Sequence, residues 1–113
     1  MGLFDIFGGG SGNNISPQEA KKRMDESGKF VLLDVRTPAE YKQVHIEGAK
    51  LIPLDTLESR ATVDLPDKNV PIYIYCLSGG RAGSAVRMLT NMGYTEVYNF
   101  GGISNWPYEK VQG

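Results

Sequence analysis

The segment Tyr73-Ile74-Tyr75-Cys76-Leu77-Ser78-Gly79-Gly80-Arg81-Ala82 holds the residues best suited to covalent chemistry. Cys76, the single cysteine, ends a run with the make-up of a buried strand, and Ala82, Ala85, Val86 and Leu89 then keep helical spacing. Six residues, Cys76 to Arg81, form the bridge between them. The adjacent Gly79 and Gly80 let that bridge curl, so that several backbone N–H groups point at one centre. The N-terminus of the following helix adds positive potential at the same place. A thiolate is the nucleophilic form of cysteine, and it is stabilised in such surroundings, as is any anionic group carried on its sulfur. The plain alternative is an inert cysteine packed as a small hydrophobe. The strand-end position, the paired glycines and Arg81 favour the reactive reading.

Other polar residues read mainly as support. Asp34 and Arg36 follow an apolar run and suit a structural network that holds the loop and can extend to Arg81. Arg36 and Glu40 have i,i+4 spacing. Trp106 reads as a packing aromatic. One histidine and one cysteine cannot assemble a zinc site within the chain, so no metal is expected.

The elements that must position the loop are punctuated clearly. Ser16-Pro17-Gln18-Glu19 and Thr37-Pro38-Ala39-Glu40 each place a hydroxyl at a cap, Pro at the first helical position and Glu three residues beyond the cap. Asp55-Thr56-Leu57-Glu58 is a weaker version, so helix starts are expected before Lys21, Tyr41 and Ser59. A fourth helix follows Arg81, and Gly93 offers its stop. Short apolar runs at Phe30 to Val35, Ala49 to Ile52 and Val70 to Tyr75 suit strands buried on both faces. Glu96 to Phe100 is a further strand, and Ser104 to Lys110 a short closing helix. Alternating strands and helices predict an α/β domain with a mainly parallel sheet, whose ligands gather beyond the carboxyl ends of the strands.

Composition bounds the possibilities. The chain has 113 residues and 12.4 kDa, enough for one core and not for two. Apolar residues at 41% and charged residues at 22% match ordinary globular usage. A net charge of -1 gives no electrostatic footprint for nucleic acid. The lone cysteine cannot form an internal disulfide, and no apolar run has the length of a membrane span, so a cytoplasmic protein is expected. Residues 1–14 read as a flexible tail: Leu3, Phe4, Ile6 and Phe7 form a greasy cluster, and Gly8 to Asn14 resembles a linker. Residues 15–113 are the folded domain.

Cys76-Leu77-Ser78-Gly79-Gly80-Arg81 resembles the active-site loop of the rhodanese family of sulfurtransferases, commonly Cys-x-x-Gly-x-Arg. Leu33-Asp34-Val35-Arg36, Glu40-Tyr41, His45-Ile46-Glu47-Gly48-Ala49 and Ile52-Pro53 are similar to that family's first signature, and Gly101-Gly102-Ile103 with Trp106 to its closing one. The matches keep the family's order across nearly the whole domain. Two positions depart from it. Val44 stands where glycine usually precedes the histidine, and Ala82 where serine often follows the loop arginine.

The resemblance implies a rhodanese-like three-layer fold, with a central five-stranded mainly parallel sheet flanked by helices. It also implies a sulfurtransferase in which Cys76 is the catalytic nucleophile and persulfide carrier. Leu77, Ser78, Gly79, Gly80 and Arg81 would form the persulfide-binding loop, with Asp34 and Arg36 in support and His45 in a structural turn. No cofactor is implied. The expected partners are a sulfur donor such as thiosulfate or a persulfide, and cyanide, a thiol or a protein cysteine as acceptor; the expected state is a monomer. Two other readings remain at this stage. One is a non-catalytic binding module of the same fold. The other is a cysteine phosphatase or arsenate reductase, although those phosphatases use Cys-x5-Arg and the spacing here is Cys-x4-Arg.

Overall fold

The computed structural model describes residues 13–113. Four parallel strands, β1 (Val31–Asp34), β2 (Lys50–Leu51), β3 (Ile72–Cys76) and β4 (Val97–Gly102), form one sheet in the order β2-β1-β3-β4. The helices are α1 (Pro17–Glu26), α2 (Pro38–Gln43), α3 (Leu54–Asp64) and α4 (Gly80–Asn91), and a 3-10 turn spans Ile103–Asn105. β3 is buried along its whole length, as its unbroken apolar run requires.

Alternation along the strands separates two cores. Leu33, Ile72, Ile74 and Cys76 pack with Leu57, Ala61, Ala82 and Leu89 of α3 and α4. Leu32, Tyr73 and Tyr75 pack on the other face with Ala20 and Met24 of α1, and with Phe100, Ile103 and Trp106. The result is the three-layer arrangement expected. Cys76 belongs to the α3/α4 side.

Among the described residues the sheet has four strands where five were expected. The remaining edge position, outside β4, holds a single parallel bridge from Asn14 to Asn99. Asn13 and Ile15 complete it: Asn99 N–H donates to the Asn13 carbonyl at 2.7 Å, and Ile15 N–H to the Asn99 carbonyl at 3.0 Å. Asparagine favours turns over ladders, and the Ser16 cap starts α1 soon after Asn14, which ends the pairing on that side. Asn13 and Asn14, read as tail, are therefore bonded to the sheet. The rest of the expected tail, residues 1–12, lies outside the described residues.

The caps behave unevenly. Ser16 Oγ accepts from Glu19 N–H at 2.9 Å, and Thr37 with Glu40 makes both bonds of a capping box. The third start differs. α3 begins at Leu54 with Pro53 as its cap and no side-chain capping bond, because Leu54 N–H instead donates to the Val35 carbonyl at the end of β1. α4 begins at Gly80, before Arg81, and Gly93 follows its end with φ +99°. The expected closing helix reduces to the 3-10 turn. Pro107 disfavours helical backbone at Trp106, which is extended at φ -80° and ψ 114°. Among the described residues, no helix is long and apolar enough to cross a membrane.

Candidate active site

Cys76 ends β3 and is 1% exposed, with Sγ turned into the loop that follows. The Gly79 N–H donates to Sγ at 2.9 Å, and the Ala82 N–H at 3.4 Å. Two features of the sequence make this possible. Gly79 adopts φ +114°, which side-chain-bearing residues rarely take, so the chain turns back over the sulfur. Gly80 then opens α4, and of its first-turn amides that of Ala82 reaches the same sulfur at the positive end of the helix. Ala82 lacks the hydroxyl common at its position, but it is the Ala82 backbone that serves Cys76. Leu77 is half exposed at the outer side of the loop.

Arg81 points to another element. Its Nη1 and Nη2 donate to Oε1 and Oε2 of Glu40 at 2.8 and 3.0 Å. The fork is bidentate, the geometry a guanidinium and a carboxylate match best. Glu40 Oε1 also accepts from Thr37 N–H at 2.9 Å, so the capping box of α2 holds the arginine of the loop. The Arg81 hydrogen bonds, aided by the Thr37 N–H, hold the Glu40 carboxyl down at about 2, while Glu40 pushes the Arg81 guanidinium up. One side of Arg81 borders a cleft of about 280 Å³ lined with Val35, Pro53 and Leu54.

Asp34 and Arg36 form a separate network. Both are buried, at 0% and 2% exposure, and joined by Nε and Nη2 contacts of 2.8–3.1 Å. Arg36 Nη2 also donates to the Val44 carbonyl, and its guanidinium lies 5.5 Å from the Tyr75 ring centre. The expected link to Arg81 is not made: the Arg81 fork is filled by Glu40. Nor does Glu40 pair with Arg36, as their spacing had suggested. His45 is a turn residue here, stacked on Tyr41 at 3.7 Å, with Nδ1 2.9 Å from the Tyr41 carbonyl and its backbone paired with Val111. Val44 before it is extended at φ -165°, a conformation that needs no glycine.

The rhodanese-like domain family matches residues 16–109. Thiosulfate sulfurtransferase PspE of Escherichia coli is 42% identical over 81 residues, 72% of this chain and 78% of that protein. Thiosulfate sulfurtransferase GlpE of Pseudomonas fluorescens is 32% identical over 86% of this chain and 91% of its own length. Among solved structures, a rhodanese with anions from E. coli superposes with a TM-score of 0.69 at 41% identity, covering 74% of this chain and 98% of that one. A rhodanese-like domain protein from Staphylococcus aureus gives a TM-score of 0.75 at 34% identity, over 86% and 93%.

The chain belongs to the rhodanese family.

It is a rhodanese-type sulfurtransferase. In this rhodanese the loop is shaped from outside as well as from within. β3 and β4 lose register between Ile74 and Cys76, so that Ile74 faces Asn99 but Cys76 faces Gly102. One extra residue on β4 makes the bulge, and Gly101 takes φ +100°. The bulge brings Gly102 against the loop. A Cβ on Gly102 would stand 1.8 Å from the Leu77 carbonyl oxygen and 2.6 Å from Ser78 Cα, so only glycine fits. Sequence reasoning reached Gly102 through the resemblance alone, without a role, and read Glu40 as a cap. The local signals for Glu40, its place in the capping box and its i,i+4 spacing from Arg36, did not point to Arg81.

Proposed function

We propose that Cys76 carries the transferred sulfur as a persulfide between two half-reactions. The observation that supports this best is the pair of backbone N–H groups on Cys76 Sγ, at 2.9 and 3.4 Å, within a loop that begins the helix α4. Such donors stabilise negative charge on the sulfur they bond as it attacks, and on the sulfur chain it then carries.

In the first step the Cys76 thiolate attacks the outer sulfur of the donor. With thiosulfate, the sulfur–sulfur bond breaks and sulfite leaves with the bonding pair. In the second step a nucleophilic acceptor attacks the outer sulfur of the persulfide. The sulfur–sulfur bond formed in the first step breaks, Cys76 is regenerated as thiolate, and the acceptor leaves as thiocyanate, if it was cyanide, or as a new persulfide, if it was a thiol. The sequence is covalent ping-pong catalysis. Its single cysteine cannot resolve the intermediate as an internal disulfide, so the sulfur passes between molecules.

The charge of the loop bears on the donor. Leu77 and Ser78 bring no cation, and Arg81 is neutralised by Glu40. A loop with this balance attracts a dianion such as thiosulfate weakly and suits a persulfide donor better.

The test is an intact-mass measurement after incubation with thiosulfate and, separately, with a small-molecule persulfide. The wild type should gain one sulfur atom and lose it on addition of cyanide. Uptake by Cys76→Ser, or no uptake by the wild type from either donor, would overturn the assignment.

A further inference from the structure

Two side chains beyond β3 grip the active loop from outside by its carbonyl oxygens. Asn99 Nδ2 donates to the Gly79 carbonyl at 3.1 Å, while Asn99 Oδ1 accepts from the Gly101 N–H at 2.8 Å. Both ends of that amide are engaged, so its orientation is determined by the backbone on either side. The Gly79 carbonyl also receives the Gly83 N–H at 2.9 Å, the first bond of α4. Ser104, in the 3-10 turn, donates its hydroxyl to the Leu77 carbonyl at 3.2 Å. The close approach of Gly102 to that same carbonyl oxygen independently shows that it faces the closing segment.

In a planar trans peptide the carbonyl and the N–H that follows it point in opposite directions. Turning the Leu77 and Gly79 carbonyls outward therefore turns the N–H groups of Ser78 and Gly80 inward. For Gly80 the direction is also that of the first turn of α4, whose Ala82 N–H already reaches Cys76 Sγ. The sulfur present in the resting protein is served by Gly79 and Ala82. The amides of Ser78 and Gly80 are left for an atom beyond it.

We propose that Asn99 and Ser104 are positioning residues for sulfur transfer, which hold two loop carbonyls outward so that the Ser78 and Gly80 amides face the outer sulfur of a Cys76 persulfide. This rests on the persulfide reading above. It makes a distinction that reading does not: the brace acts on the outer sulfur and little on Sγ itself.

Two rates measured on each of four proteins test it: sulfur loading from thiosulfate and from inorganic polysulfide, followed by intact mass, and alkylation of resting Cys76 by iodoacetamide. Asn99→Asp keeps the acceptor for Gly101 and turns the donor to Gly79 into a charged oxygen that repels its carbonyl, and its loading should slow by at least about tenfold. Ser104→Ala should slow it about threefold, and Ser104→Thr, which keeps the hydroxyl, should load like wild type. Alkylation should change by less than about twofold in all three. Normal loading in Ser104→Ala together with either normal loading or lost folding in Asn99→Asp overturns the brace. So does a parallel fall of loading and alkylation, which marks general damage to the loop. A wild type that loads from neither donor removes the persulfide reading and the brace with it, a result distinct from normal loading in the variants.

Discussion

The guanidinium of Arg81 sits squarely on the carboxylate of Glu40, two hydrogen bonds of 2.8 and 3.0 Å joining residues 41 positions apart. The pair ties the start of α4 to the start of α2. It also commits the planar fork of the loop arginine to a protein partner, leaving its charge largely balanced.

This pair makes stability depend on acid. The Glu40 carboxyl is held at about 2 against a reference of 4.5, chiefly by Arg81. A lowered carboxyl pKa stabilises the fold above about pH 4.5, and that contribution is lost as pH falls toward 2. With both side chains about a third exposed, solvent screening leaves about 1–2 kcal/mol. Urea unfolding at pH 7 should find Glu40→Gln less stable than wild type by that amount. The gap should close as pH falls from 4.5 toward 2; an unchanged gap would show that the ion pair is not its source.

Arg81→Lys keeps the charge but loses the fork. One of the two Glu40 bonds goes, and the loop's anchor to α2 loosens. Cyanide-dependent turnover should fall by about tenfold or more, a factor that corresponds to the loss of one charged hydrogen bond. Steady-state assays with thiosulfate would register it. Wild-type rates would mean that charge alone suffices at this position.

Breaking the buried pair should cost more. Asp34→Ala strands the Arg36 guanidinium, 2% exposed, with the Val44 carbonyl as its remaining polar partner. The expected loss is about 3–5 kcal/mol, the usual cost of an uncompensated buried charge. Chemical unfolding at pH 7 measures it, and a loss below about 1 kcal/mol would show that water reaches Arg36.

Two glycines of the site should respond in opposite ways. Gly102→Ala forces a methyl group into the Leu77 carbonyl and should cost about 2–3 kcal/mol while slowing sulfur loading. Gly80→Ala meets nothing within 4 Å and should alter stability by less than about 1 kcal/mol. Thermal unfolding of both variants beside the wild type makes the comparison, and equal effects would contradict it.

Loop length should decide reaction class. Cys-x4-Arg wraps one sulfur atom within its amides, whereas a phosphoryl group brings three oxygens that all need donors. The unmodified protein should transfer sulfane sulfur and release no appreciable phosphate from aryl phosphates. Efficient phosphate release without sulfur on Cys76 would reverse that assignment.

Several features were legible because their causes are local. The Ser16 and Thr37 caps need only the residues within one helical turn. The loop between β3 and α4 declares itself through a cysteine, two glycines and a change of hydrophobic period. The closing helix was also a local question: Pro107 disfavours it within four residues of Ser104.

What the tertiary structure decided depends on groups distant in the chain. α3 starts at Leu54, whose N–H is accepted by the carbonyl of Val35, just past β1 and nineteen residues earlier, an acceptor that no local pattern reveals. Among the described residues the fifth-strand position holds one bridge, and α1, starting three residues after Asn14, ends it on that side. Arg81 could have joined Asp34 or Glu40 on charge alone; which carboxylate meets the fork is a matter of how α2 and α4 pack across the end of the sheet. Gly102 needs its missing Cβ because a bulge in β4 carries it onto the Leu77 carbonyl. Sequence specifies the cysteine and the turn that surrounds it, since both are written in consecutive residues. The partners that hold the turn in shape come from other strands and helices, and only packing brings them within hydrogen-bond range.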